Sequence, residues 1–236
     1  MNRSLKAMVA VMAIALGGCN GSVNAPIDIA DGTKDAKASE AVNGRIRIGD
    51  DVTVTSGSFR LVNGPATVGA RSTVPAITLV NGTIRVGEDS RTGELTTVNG
   101  SVIVAANTRV RDGIGIVNGE ITLAEGVEVD GETSAVNGRI TLNGATVNGN
   151  IENVNGGVHI LGASVVNGDL LIRRPRGVDI QTRPTEVLIE GGARVTGRLV
   201  FEREVVLRIH RDAQVGEIVG ATPEYFGDDE ATVTQE

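Results

Sequence analysis

Residues 98–123 read VNGSVIVAANTRVRDGIGIVNGEITL, and their spacing decides the fold. Two Val-Asn-Gly tripeptides end at Gly100 and Gly119, 19 residues apart. Behind them, Ser101-Val102-Ile103-Val104 and Glu120-Ile121-Thr122-Leu123 set apolar side chains at alternate positions. That is the period of a half-buried strand. Gly113 stands between the two tripeptides as a second corner.

Outward from this stretch the same unit recurs. Val-Asn-Gly places its glycine at 44, 64, 82, 100, 119, 138, 149, 156 and 168, with first steps of 20, 18, 18, 19 and 19 residues. Gly57, Gly93, Gly113 and Gly131 fall 11–13 residues after one tripeptide and 6–7 before the next. Gly149 and Gly168 occupy that second slot, and Pro75 takes it once, so 138 to 156 is an ordinary step. A fixed period with two corners marks a repeat architecture. Each unit offers three short strands, such as Ser101–Val104, Val127–Val129 and Glu94–Val98, the last with Val98 read as interior.

These features predict an all-β chain: a single-stranded parallel β-helix of about ten rungs, stacked about 4.8 Å apart. Aromatic residues make up 2% of the chain and Trp is absent, which suits a narrow interior filled by Val, Ile, Leu and Ala. The alternative is an antiparallel β-sandwich or meander, because Asn-Gly between alternating strands is also a strong hairpin signal. A meander gives no reason for the constant second corner.

Asn43, Asn63, Asn81, Asn99, Asn118, Asn137 and Asn155 then fall on one corner, one per rung. Asn tolerates the φ values of a tight corner, and stacked amides bond along a column. A structural ladder is the expected role, with a ligand-binding stripe as the functional alternative. The repeat breaks at Arg173-Arg174-Pro175-Arg176-Gly177, where Pro cannot donate to a sheet ladder. A loop excursion is expected there, and a contact for anionic head groups or for the acidic flank of a second molecule is the alternative reading of Arg173, Arg174 and Arg176. The pattern resumes over 187–199, Phe201 to Ile209 reads as the cap of the stack, and 221–236 reads as an acidic flexible tail.

Arg3 and Lys6 precede the apolar run Ala7–Leu16, which is too short to span a bilayer as a helix. The run closes on Leu16-Gly17-Gly18-Cys19, which resembles the lipobox of bacterial lipoprotein signal peptides. The resemblance implies removal of 1–18 and acylation of Cys19, the palmitate-type anchor of a membrane-bound lipoprotein. Asn20, where Asp would imply inner-membrane retention, implies the outer membrane of a Gram-negative envelope. Residues 19–40 read as a flexible tether before a solenoid over 41–220.

A net charge of −7 speaks against a nucleic-acid partner. With one Cys and two His, neither a disulfide framework nor a cysteine zinc site is expected. His159 and His210 stand apart from any triad, while Asp50-Asp51 and Glu88-Asp89 read as solvated turn charges. No catalytic, cofactor or metal residue is predicted.

Gly191–Leu199 and the repeated G-x-I-x-[VLI] and V-x-x-G units across 41–220 resemble bactofilins, the polymer-forming bacterial cytoskeletal proteins. The Val-Asn-Gly units also resemble a family of bacterial adhesin-like β-solenoid proteins. The bactofilin resemblance implies right-handed β-helices joining end to end without nucleotide. Neither family brings a catalytic motif. The expected function is therefore a non-enzymatic, lipid-anchored envelope scaffold or adhesin-like surface protein. Its partners would be the membrane, further copies of itself, or an envelope protein or glycan. A binding module for envelope polysaccharide or lipopolysaccharide is the alternative.

Overall fold

A period of 18–20 residues lays each strand over its own copy one repeat earlier, and that is the pairing observed. The computed structural model describes residues 24–175 and 184–227. Among them there are 28 strands and no helix. All strand pairings are parallel. The chain is thus a β-solenoid, and the antiparallel alternative falls away.

One rung shows the plan. Leu95–Asn99 lies on the first sheet, Val102–Val104 on the second and Arg109–Val110 on the third. Leu95 sits beneath Ile114, Val102 beneath Ile121 and Arg109 beneath Glu128, each a shift of one repeat. Ile114–Leu123 and Thr133–Asn143 run unbroken through the Asn-Gly corner and join the first sheet to the second. Alternation aims Leu95, Val102, Val104 and Val110 inward, at 0–1% exposure. One apolar cluster continues from Ala41 to Ile209.

The valine of each Val-Asn-Gly is not interior as expected for Val98. Val62, Val80, Val98, Val117, Val136 and Val154 are all half-buried. The inward positions lie one and three residues earlier, at Leu61 and Phe59 in one rung and at Ile116 and Ile114 in another. At the valine the chain has begun to turn.

The corner between the second and third sheets is closed by buried hydroxyls. Ser90 Oγ accepts the Ser72 N–H at 3.1 Å and donates to the Gly69 carbonyl at 3.1 Å. One rung on, Thr108 Oγ1 does the same for Ser90 N–H at 3.2 Å and the Gly87 carbonyl at 2.9 Å. The same turn holds Asp51, Arg71, Asp89 and Asn107 at φ of 54–57°. A hydroxyl that both accepts and donates removes the cost of burying these turn groups.

Two boundaries are corrected. Within the expected tether, Ile27–Ile29 pairs with Ile46–Ile48 and Ala36–Lys37 with Val54–Ser56, forming the first rung. A terminal rung has a neighbour on one side only, so Ile27 and Ile29 stay half-buried and the segment needs fewer apolar residues. At the other end, Pro223–Phe226 of the expected tail pairs with Leu207–His210. The layer Ile218–Val219 and Pro223–Phe226, rather than Phe201 to Ile209, therefore ends the stack. Cys19, the segment 1–18 and Arg176 lie outside the described residues.

Candidate functional site

The feature that unites the predicted residues is the asparagine corner. Asn43 Nδ2 donates to Asn24 Oδ1 at 2.9 Å, Asn63 to Asn43 at 2.8 Å, and Asn81 to Asn63 at 2.8 Å. Asn99 donates to Asn81 at 2.8 Å, Asn118 to Asn99 at 2.8 Å, Asn137 to Asn118 at 3.0 Å and Asn155 to Asn137 at 2.9 Å. All seven predicted asparagines join one chain of a single polarity, with each amide donating toward the N-terminal rung. Bonds aligned head to tail polarise one another. The glycine after each asparagine lets neighbouring corners approach; a Cβ on Gly82 would stand 1.9 Å from the Gly64 carbonyl oxygen.

Two members were not visible in the repeat. Asn24 opens the ladder from a rung with no Val-Asn-Gly to flag it. Arg203 closes it, donating to Asn155 Oδ1 at 2.7 Å and to the Val154 carbonyl at 3.2 Å. The chain leaves the first sheet after Ile172 and re-enters the stack on the second sheet at Thr185, so the corner above Asn155 has no asparagine. Arg203 reaches down from the layer beyond.

The basic stretch at that break is anchored within the molecule. Arg173 Nη1 pairs with Glu202 Oε1 at 2.7 Å and its Nε with Glu152 Oε1 at 3.4 Å. Arg174 donates its backbone N–H to Glu202 Oε2 at 3.2 Å and its Nε to the Glu202 carbonyl at 3.3 Å. Both arginines are thus engaged by carboxylate or carbonyl groups.

Carboxylates elsewhere serve the stack. Asp31 Oδ1 accepts the Asp50 N–H at 3.0 Å and Asp50 Oδ1 the Ala70 N–H at 2.9 Å, while Asp51 takes the Arg71 guanidinium at 2.9 and 2.8 Å. On the third sheet Arg109 holds Asp130 at 3.0 and 2.8 Å. There a short column runs from Glu128 through Asn148 to Asn167, with bonds of 3.1 and 2.8 Å. Among the described residues no group of three or more His, Cys, Asp or Glu is arranged to hold a metal ion. The histidines are far apart in role: His159 Nε2 faces Glu186 Oε2 at 3.7 Å, and His210 meets the Phe226 ring edge-on at 5.2 Å.

These pairings carry a pH dependence. The Arg198 N–H and guanidinium hold Asp169 below the ordinary carboxylate range, the Arg71 side chain does so for Asp51, and Arg173 for Glu202. A carboxylate depressed in the folded state stabilises above its unfolded pKa and loses that contribution as pH falls through the folded value. Glu94 works in the opposite sense, since burial and then Asp112 raise its pKa. With three depressed groups against one, melting temperature is expected to fall below about pH 4. Asp169→Asn should flatten that fall, and an unchanged acid limb in Asp169→Asn would remove the pair from this account.

Comparison with protein-family models, curated proteins and solved structures finds no match for the chain.

Proposed function

We propose that the protein is a non-enzymatic, lipid-anchored scaffold of the bacterial envelope, a rod held at a membrane surface through Cys19. The observation that carries this reading is the closure of the molecule on itself. An amide chain from Asn24 to Asn155, capped by Arg203, runs beside one apolar core from Ala41 to Ile209. The corner amides and the basic root of the excursion are spent inside the stack. About ten rung spacings give a rod near 50 Å long.

The link to the anchor supports the same reading. Ile27, where the first strand begins, is eight Cα-to-Cα steps from Cys19. Fully extended, eight steps reach at most about 28 Å, so the rod is tied close to the bilayer. The bactofilin resemblance adds self-assembly to the proposal. Ile27–Ile29 and Pro223–Phe226 are each paired along one edge among the described residues, and a free strand edge is a template for a further copy.

Fractionation of cells carrying the full chain tests the anchor. The wild type is expected in the detergent-extractable membrane fraction, and Cys19→Ala is expected to lose acylation and leave that fraction. A Cys19→Ala protein that stays membrane-bound would overturn the lipid anchor. Light scattering and negative-stain microscopy of residues 20–236 over a range of concentrations test assembly. Filaments are expected, and a stable monomer at every concentration removes self-assembly.

A further inference from the structure

The repeat multiplies one reactive pair. In Asn-Gly the glycine nitrogen, unhindered by a Cβ, attacks the asparagine Cγ to form a five-membered imide. The reaction needs a backbone nitrogen free to leave its own hydrogen bond. Gly44, Gly64, Gly82 and Gly100 donate their N–H groups to the carbonyls of Asn63, Asn81, Asn99 and Asn118 at 3.1, 2.8, 2.9 and 2.9 Å. Gly119 and Gly138 lie inside the continuous strands Ile114–Leu123 and Thr133–Asn143, in register with each other. The six side chains before these glycines are held in the ladder. Attack requires breaking both restraints at once.

Three pairs differ. Gly149, Gly156 and Gly168 lie outside the strands, and their N–H groups meet no acceptor among the described residues. For Gly156 the cause is the break above it, where the chain re-enters only at Thr185. Gly149 and Gly168 occupy the second corner, where the Asn148 and Asn167 side chains are held by the short column from Glu128 and, for Asn148, by Asp130. Asn143-Gly144 is not of this kind, because the Gly144 N–H donates to the Leu161 carbonyl at 3.2 Å.

We propose that Asn148, Asn155 and Asn167 are sites of spontaneous deamidation in the folded protein, and that the bonded glycine N–H groups together with the ladder withhold Asn43, Asn63, Asn81, Asn99, Asn118 and Asn137. The glycine nitrogen forms a bond to Cγ, the Cγ–Nδ2 bond breaks, and the nitrogen departs as ammonia carrying the glycine N–H proton. Water then opens the imide at either carbonyl, leaving aspartate or isoaspartate, with nothing oxidised or reduced. The products fall on charged ground. At Asn155 a carboxylate meets Arg203 and loses the donor to Asn137, whereas at Asn148 it joins Glu128 and Asp130.

The test is site-resolved mass spectrometry of the full chain after prolonged incubation at mildly alkaline pH, folded and in urea. Folded protein is expected to gain the amide-to-acid mass change at 148, 155 and 167, with the six sites before a bonded glycine N–H slower by roughly tenfold or more. In urea all nine should react alike. Equal rates at these six and at the other three in the folded protein would overturn the proposal, as would inertness of 148, 155 and 167 together. Hydrogen exchange supplies an independent check: the Gly156 amide should exchange faster than that of Gly100, and equal protection of the two would remove the premise.

Discussion

Ile121→Asp is expected to abolish the cooperative thermal transition of the solenoid, followed by circular dichroism near 218 nm. Ile121 is fully buried, stacked between Val102 below and Ile140 above. Exchanging it for Asp forfeits about 1.5–3 kcal/mol of apolar burial. It also leaves a carboxyl among aliphatic side chains, where it must be ionised without a partner or be protonated at a cost. A total above about 4 kcal/mol is expected, against a typical domain stability of about 5–15 kcal/mol. Because each rung touches only its neighbours, the damage should divide the stack into halves that melt separately. Val98→Asp is the control. Val98 is half-buried at the corner, and a carboxylate there can reach water, so a loss of about 1 kcal/mol is expected. If Val98→Asp proves as costly as Ile121→Asp, the inward register of Ile114, Ile116 and their counterparts is wrong.

That contrast shows where sequence reading stopped. Period, corner and strand alternation were legible because every rung must repeat them to stay in register. The orientation of Val98 was not, because Thr97-Val98 and its counterparts Leu61-Val62 and Ile116-Val117 place two candidate core residues side by side. Only the onset of the turn decides between them. The end rungs were hidden for a different reason. Ile27-Asp28-Ile29 and Pro223–Phe226 cover one neighbour each, so a short, polar sequence suffices and resembles a linker. Ser72, Ser90 and Thr108 keep the 18-residue step over three rungs only, since Val52 and Val127 stand at the same corner in the rungs on either side. A hydroxyl there is read as a surface residue until its partners are known. The cap of the ladder lay furthest from view. Arg203 acts on Asn155 across 48 positions of sequence, and only because the intervening rung opens at Arg173.

The corner glycines separate two physical demands that sequence alone cannot divide. Gly100 has φ of +154°, and a Cβ built on it would stand 1.9 Å from the Gly82 carbonyl oxygen and 2.5 Å from its carbon. Gly100→Ala must therefore push apart neighbouring rungs whose backbones bond at 2.9 Å across Gly82 and Asn99, loosening the Asn99 to Asn81 bond beside them. Strain of the backbone and overpacking together are expected to cost about 3 kcal/mol or more. Two further variants apportion that cost. Gly32 has φ of +69° with nothing within 4 Å of a Cβ, so Gly32→Ala meets the conformational cost alone, about 1 kcal/mol. Gly138 lies outside the positive-φ set, yet its Cβ would stand 2.0 Å from the Gly119 carbonyl oxygen, so Gly138→Ala meets the contact alone. Urea denaturation of the three should rank Gly100→Ala as most costly, Gly138→Ala close behind it and Gly32→Ala well below. Were Gly138→Ala to unfold with the wild type, close approach between rungs would not be what fixes glycine at this corner, and the turn conformation would carry the selection by itself.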